Sequence, residues 1–244
     1  MARKVKIPNH IKKRLERTEH KRKRNTIPKR KYFLIVCEGE KTEPNYFESL
    51  KQDLPKGVLT SCRIDIEGTG RNTVSLVQES EKIKERLENE TSLVIDKIWV
   101  VFDRDSFEPN NFNDAINYCK KSKPEIGCAW TNEAFELWYL LHFHYYNTPI
   151  NRERYQKLIE GNLQPKIGAE YKYKKNSTEM YNILKENGNI ELAIKFATKL
   201  ENNFKGQYNH ANQNPCTKVH HLVAELFGLE ELLKEEVEDN NVSG

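Results

Sequence analysis

Between residues 32 and 131 the chain alternates apolar runs with amphipathic stretches, the pattern of a parallel α/β sheet. "YFLIVC" (Tyr32 to Cys37) is continuously apolar, as a central parallel strand buried on both faces should be. It breaks at Glu38-Gly39, and Pro44 then opens a helix over "NYFESLKQ". "SCRIDIEG" alternates as a second strand and ends at Gly68. The turn "GTGRNT" follows, with Thr73 as a cap for the helix "VSLVQESEKIKERLE". "DKIWVVF" reads as the third strand and "NFNDAINYCKK" as its crossover helix. "IGCAW" is a short fourth strand, and "TNEAFELWYLLHF" is a buried helix, apolar on most sides.

From about residue 150 the pattern turns to helices with polar linkers: "NRERYQKLIE", "STEMYNILKE", "NIELAIKFATKLENNF" and "TKVHHLVAELFGL". Ser177, Asn189 and Thr217 are the expected caps, and "GNLQPKIGAEYKYKKN" is expected to be a basic loop. The predicted fold is α/β, with a mostly parallel sheet of about four strands flanked by helices and a C-terminal helical region. The predicted divisions are a flexible basic arm (1–31), a core (32–148), a helical region (149–234) and a frayed acidic tail (235–244).

Composition narrows the class. Hydrophobic residues are 37% and charged residues 31% of the 244, and no apolar run reaches the length of a membrane span. The basic N-terminus lacks the apolar segment of a secretory signal. Five scattered cysteines without a C-x-x-C pair read as reduced thiols, so the expected compartment is the cytoplasm.

Charge is unevenly spread. Residues 1–31 carry 14 lysines and arginines against Glu16 and Glu19, a net of +12, so the rest of the +4 chain carries −8. Such an arm suits a phosphate backbone, whose counterions it would release. Lys21, Arg22, Lys23, Arg24, Lys29, Arg30 and Lys31 are its candidate nucleic-acid contacts, the alternative being a solubilising tail. Arg71, in the glycine-rich turn, is a further candidate for phosphate.

The candidate chemistry sits at strand ends, where open parallel sheets gather functional groups. Glu38 follows the first strand, Asp103 and Asp105 end the third, and Glu133 and Glu136 follow the fourth. Asp103 and Asp105 are one residue apart on an extended chain and project to the same side, where their charges repel unless a cation intervenes. Glu136 lies within an apolar helix, where burying an acid is costly unless it is paired or liganded. Hard oxygen ligands at close range suit Mg²⁺ or Mn²⁺, and a site on such an ion with open positions can bind phosphate and activate water. Glu133 reads as a capping-region acid. His210, His220 and His221 show no metal-binding spacing and read as surface or core histidines.

An apolar strand followed by Glu-Gly and a helix, with a later strand ending in Asp-x-Asp, resembles the Toprim pattern of primases, topoisomerases and OLD-type nucleases. More narrowly, "IVCEGEKTEPNYF", "VVFDRDSF", "TNEAFELWYLLHF" and "NPCTKVHHLVAEL" together resemble the RloB family over roughly residues 30 to 228. The resemblance implies a Toprim-type, metal-dependent endonuclease linked to restriction loci and phage defence, with an ABC- or AAA-type ATPase as partner. It implies that Glu38 is a metal ligand or general acid/base, that Asp103 and Asp105 are metal ligands, and that Glu136 is an additional acid. A lysine that neutralises the transition state is expected in "YKYKKN", with Lys174 and Lys175 ahead of Lys172. Thr42, flanked by Glu40 and Glu43, stands where OLD-type nucleases have a further acid, which leaves the number of metals open. Homo-oligomerisation also stays open.

Two other functions compete. A catalytically degenerate module would bind nucleic acid through the arm and act through a partner. A dehalogenase-type phosphatase would use Asp103 as nucleophile, but that motif belongs on a first strand and leaves Glu38 unexplained.

Overall fold

The computed structural model describes residues 31–64, 73–104 and 107–234. Five strands run in the order β2-β1-β3-β4-β5: β1 (Lys31–Cys37), β2 (Val58–Ile64), β3 (Lys97–Asp103), β4 (Gly127–Asn132) and β5 (Cys216–Thr217). The first four are parallel, as expected, and the two-residue β5 adds an antiparallel edge on Thr131 and Asn132. The strand order reverses between β1 and β3, so crossovers leave β1 in opposite directions and open a crevice at its carboxyl end.

Side-chain alternation on the central strands feeds two cores. Phe33, Ile35 and Cys37 of β1, with Trp99 and Val101 of β3, face the larger one. Leu34, Val36, Ile98, Val100 and Phe102 face the smaller one. Helix α1 (Thr42–Leu50) covers the larger face through Tyr46, Phe47 and Leu50. Helices α2 (Thr73–Thr91) and α3 (Pro109–Lys121) close the other face with Leu76, Val77, Leu87, Phe112 and Ile116.

The remaining helices are α4 (Glu136–Leu141), α5 (Arg152–Ile167), α6 (Met180–Asn187), α7 (Ile190–Asn202) and α8 (Val219–Phe227). All five contribute to the larger core, which includes Leu137, Tyr155, Leu184, Ile194 and Leu222. The C-terminal helices therefore complete the sheet's own interior, and from Lys31 onward the chain forms one unit.

Local departures from the expected elements have simple causes. β2 begins at Val58 rather than Ser61 because it pairs in register with the whole of β1, from Lys31↔Val58 to Cys37↔Ile64. The helix α2 starts at Thr73 itself. Helix α5 runs through the supposed loop to Ile167 with Pro165 inside it, and Gly161, four residues earlier, presents no side chain to the ring. The α4 helix is only six residues long and starts at Glu136, so that acid is the helix's first residue rather than an interior one. Asn189 caps α7, accepting from the Leu192 N–H at 2.9 Å. Ser177 instead accepts from the Glu179 N–H, one step before α6 begins, and Thr217 from the Val219 N–H at the head of α8. Cys37, Cys119, Cys128 and Cys216 form no disulfide among the described residues. No helix among the described residues is long and apolar enough to cross a membrane.

Candidate metal centre

The crevice between β1 and β3 gathers acids from three directions. β1 ends at Cys37, and the Glu38 N–H still donates to Val101 O at 2.9 Å, which holds the next side chain at the strand edge. Glu38 Oε2 lies 3.5 Å from the backbone N of Asp103, the last residue of β3. Asp103 is 2% exposed, and its Oδ2 accepts from the Phe135 N–H at 3.0 Å, on the turn into α4. Glu136, at 1% exposure, opens that helix, where the dipole favours a carboxylate.

Arg152 ties the acids together. From the first residue of α5 its Nη2 donates to Asp103 Oδ2 at 2.9 Å, and its Nε lies 3.4 Å from Glu136 Oε2. Glu136 Oε1 accepts from Gln156 Nε2, one turn along α5, and from the Tyr173 hydroxyl, each at 3.3 Å. The Tyr173 phenol is held well above its usual range by burial and then by the Glu136 charge, so it stays a donor.

Glu43 is the fourth acid. It points back from the first turn of α1 and is buried. A Cβ on Gly39 would stand 2.2 Å from Glu43 Oε2, so the glycine makes room for the carboxylate. Burial, followed by the charges of Glu38 and Glu136, pushes the Glu43 carboxyl up to about 7 against a backbone hydrogen bond and the Arg152 charge. Its affinity for a proton is thus matched to neutral pH.

One wall of the cleft is a strap laid along α1. Thr42 Oγ1 donates to Lys175 O at 3.0 Å, Asn45 Nδ2 to Asn176 O at 3.0 Å, and Ser49 Oγ to Thr178 O at 2.7 Å. The resulting cleft measures about 330 Å³ and is lined by Glu38, Glu43, Asp103, Glu136, Arg152 and Lys175, among others. Lys175 lines the cleft, whereas Lys172 and Lys174 do not, although all three are exposed.

Of the other candidates, Asp105, Arg71, Lys21, Arg22, Lys23, Arg24, Lys29 and Arg30 lie outside the described residues. Lys31 is exposed at the start of β1. Glu133 is half-buried just before α4. The sequence singled out neither Glu43 nor Arg152 as a site residue. Glu43 had a signal in its closeness to Glu38, while Arg152 had none, because its role depends on how α5 packs. His220 is a core histidine and His221 a partly exposed one, as expected, but both approach Glu201; the His210 ring lies tilted against Trp130, centroids 5.6 Å apart.

A parallel α/β protein with a carboxylate cluster at its sheet's switch point is the class that fold and site define. The family model described as RloB-like protein matches residues 33–226, and the chain belongs to that family. Searches of curated proteins and of solved structures gave no match.

Proposed function

We propose that this chain is a divalent-metal-dependent phosphodiester hydrolase of the Toprim type, acting on DNA or RNA within a defence or restriction-linked system. The observation that carries the reading is the charge imbalance of the cleft. Buried Glu43, Asp103 and Glu136 stand around the guanidinium of Arg152, with Glu38 at the rim. An excess of carboxylates made only of oxygen donors fits a hard ion, Mg²⁺ or Mn²⁺. Glu38, Asp103 and Glu136 would hold it, with Asp105 as the further ligand that the sequence pattern supplies.

Bound there, the ion supplies Lewis acidity toward phosphate and water. The chain's own groups do the rest. Arg152 and Lys175 present positive charge to the phosphate from two sides of the cleft. Glu43 would take the proton of the attacking water as the P–O bond to it forms, and solvent water would supply the proton that the leaving oxygen takes as its P–O bond breaks. The basic arm would hold the strand nearby by its phosphates, and an ATPase partner would belong to the same system.

The test incubates purified protein with supercoiled plasmid and with total tRNA, in Mg²⁺, Mn²⁺ or EDTA, beside Asp103→Asn. Wild type should cut one substrate class only with metal, and the variant should be slower by about a hundred- to a thousandfold. If wild type and variant bind nucleic acid equally and neither cuts, the degenerate binding module replaces this reading.

A further inference from the structure

A second cluster of ligating side chains lies away from the acidic cleft. Glu201 stands near the C-terminal end of α7, and His220 and His221 are in the first turn of α8. His220 Nε2 is 3.1 Å and His221 Nε2 2.7 Å from the same atom, Glu201 Oε2. One ligand atom from each of the three residues lies within 4.8 Å of the other two. We propose that Glu201, His220 and His221 form a second metal site, for a borderline divalent transition ion of the Zn²⁺ class.

The donor set decides the class of ion. Two imidazole nitrogens and one carboxylate oxygen are the ligands of zinc-type sites, whereas the all-oxygen cleft suits Mg²⁺ or Mn²⁺. The separations are those of ligands around a small ion, needing only a few tenths of an ångström of opening at His221. Loading requires no net proton loss from the imidazoles, since each can move its hydrogen from Nε2 to Nδ1 and offer Nε2 as the ligand.

Three further observations support a built site. His220 is fully buried, and its Nδ1 makes no hydrogen bond among the described residues, so only its Nε2 side is engaged. Coordination at Nε2 would replace the charge-assisted bond to Glu201, with the ring hydrogen moving to Nδ1. Glu201 divides its oxygens: Oε1 takes the ammonium of Lys218 and Oε2 faces the two rings. A hydrogen bond on the other oxygen is how a ligating carboxylate is oriented. Finally, the cluster opens on a cleft of about 390 Å³ that runs past Trp130, Cys128 and His210. Glu201 and His221 line that cleft while His220 is buried, so a fourth position on the ion would face the cleft and stay open to water or a small ligand.

The experiment titrates the untagged full chain with Co²⁺, read by visible absorption, and then competes with Zn²⁺. Wild type should develop the intense visible bands of a four- or five-coordinate nitrogen-containing site at one equivalent, and Zn²⁺ should abolish them. Glu201→Gln and the half-exposed His221→Ala should each weaken binding at least tenfold while keeping the wild-type far-UV circular dichroism. Asp103→Asn should leave the titration unchanged, which separates this site from the acidic cleft. Absence of the bands in wild type, or a titration unaltered in His221→Ala, overturns the proposal.

Discussion

The two clusters lie at opposite ends of β3 and solve opposite problems. At its carboxyl end, Asp103, Glu136 and Glu43 crowd round Arg152, so acids outnumber the cation between them. Lys97 and Trp99, near its amino end, line the other cleft, where a single carboxylate, Glu201, meets two imidazoles and an ammonium. Electrostatics therefore push the two glutamates apart. Glu43 is raised by burial and like charge. Burial also acts upward on Glu201, but the bonds from His220, His221 and Lys218 outweigh it and hold the carboxyl far below its usual range. The rise at Glu43 is chiefly the cost of burying its charge, and the fall at Glu201 is chiefly the hydrogen bonds it accepts, with the Lys218 charge added.

The sharpest way to break this contrast is to remove each cluster's cation. Arg152→Leu leaves buried Asp103 and Glu136 without it and should cost about 3–5 kcal/mol in EDTA. If the cleft takes a divalent ion, millimolar Mn²⁺ should restore much of that loss in chemical denaturation. A variant as stable as wild type in EDTA would contradict the idea that the acids depend on Arg152.

The pH dependence should differ next. Because folding raises Glu43 from the usual 4.5 to about 7, its favourable contribution is complete below pH 4.5 and is lost as pH rises through 7. The total is roughly 3 kcal/mol. Glu43→Gln should flatten that fall between pH 4.5 and 7 in urea titrations, and a bound divalent ion should flatten it in wild type. Glu201 has the opposite sign: its contribution is present above the usual carboxylate value and is lost as pH falls.

The smallest effect is expected at Lys218. Lys218→Met leaves Glu201 both imidazoles and should cost only about 1–2 kcal/mol. A loss as large as that of Arg152→Leu would erase the distinction between the clusters.

Much of this architecture can be read from the chain because strands buried on both faces announce themselves as apolar runs. β1, β3 and β4 are such strands, and the acids at or beyond their ends, Glu38, Asp103 and Glu136, needed only the rule that parallel sheets collect function there. β2 was read three residues late because only its pairing with β1 defines its start. Arg152 and the Glu201, His220 and His221 group escaped for a deeper reason. Helix packing sets their neighbours, and no spacing in the sequence records which faces of α4, α5, α7 and α8 will meet. The α4 boundary failed similarly: "TNEAFELWYLLHF" is apolar enough for a long helix, yet its first residues are strand and turn around Asp103.

The strap across α1 has a consequence for synthesis. Thr42 finds its partner carbonyl 133 residues further along the chain. At the pace of translation that is a delay on the order of ten seconds. A nascent chain that stops short of Lys175 already holds Glu38, Glu43, Asp103, Glu136 and Arg152, but lacks the wall that encloses them. Enclosure of the cleft is thereby deferred until the segment from Lys175 to Thr178 has been made.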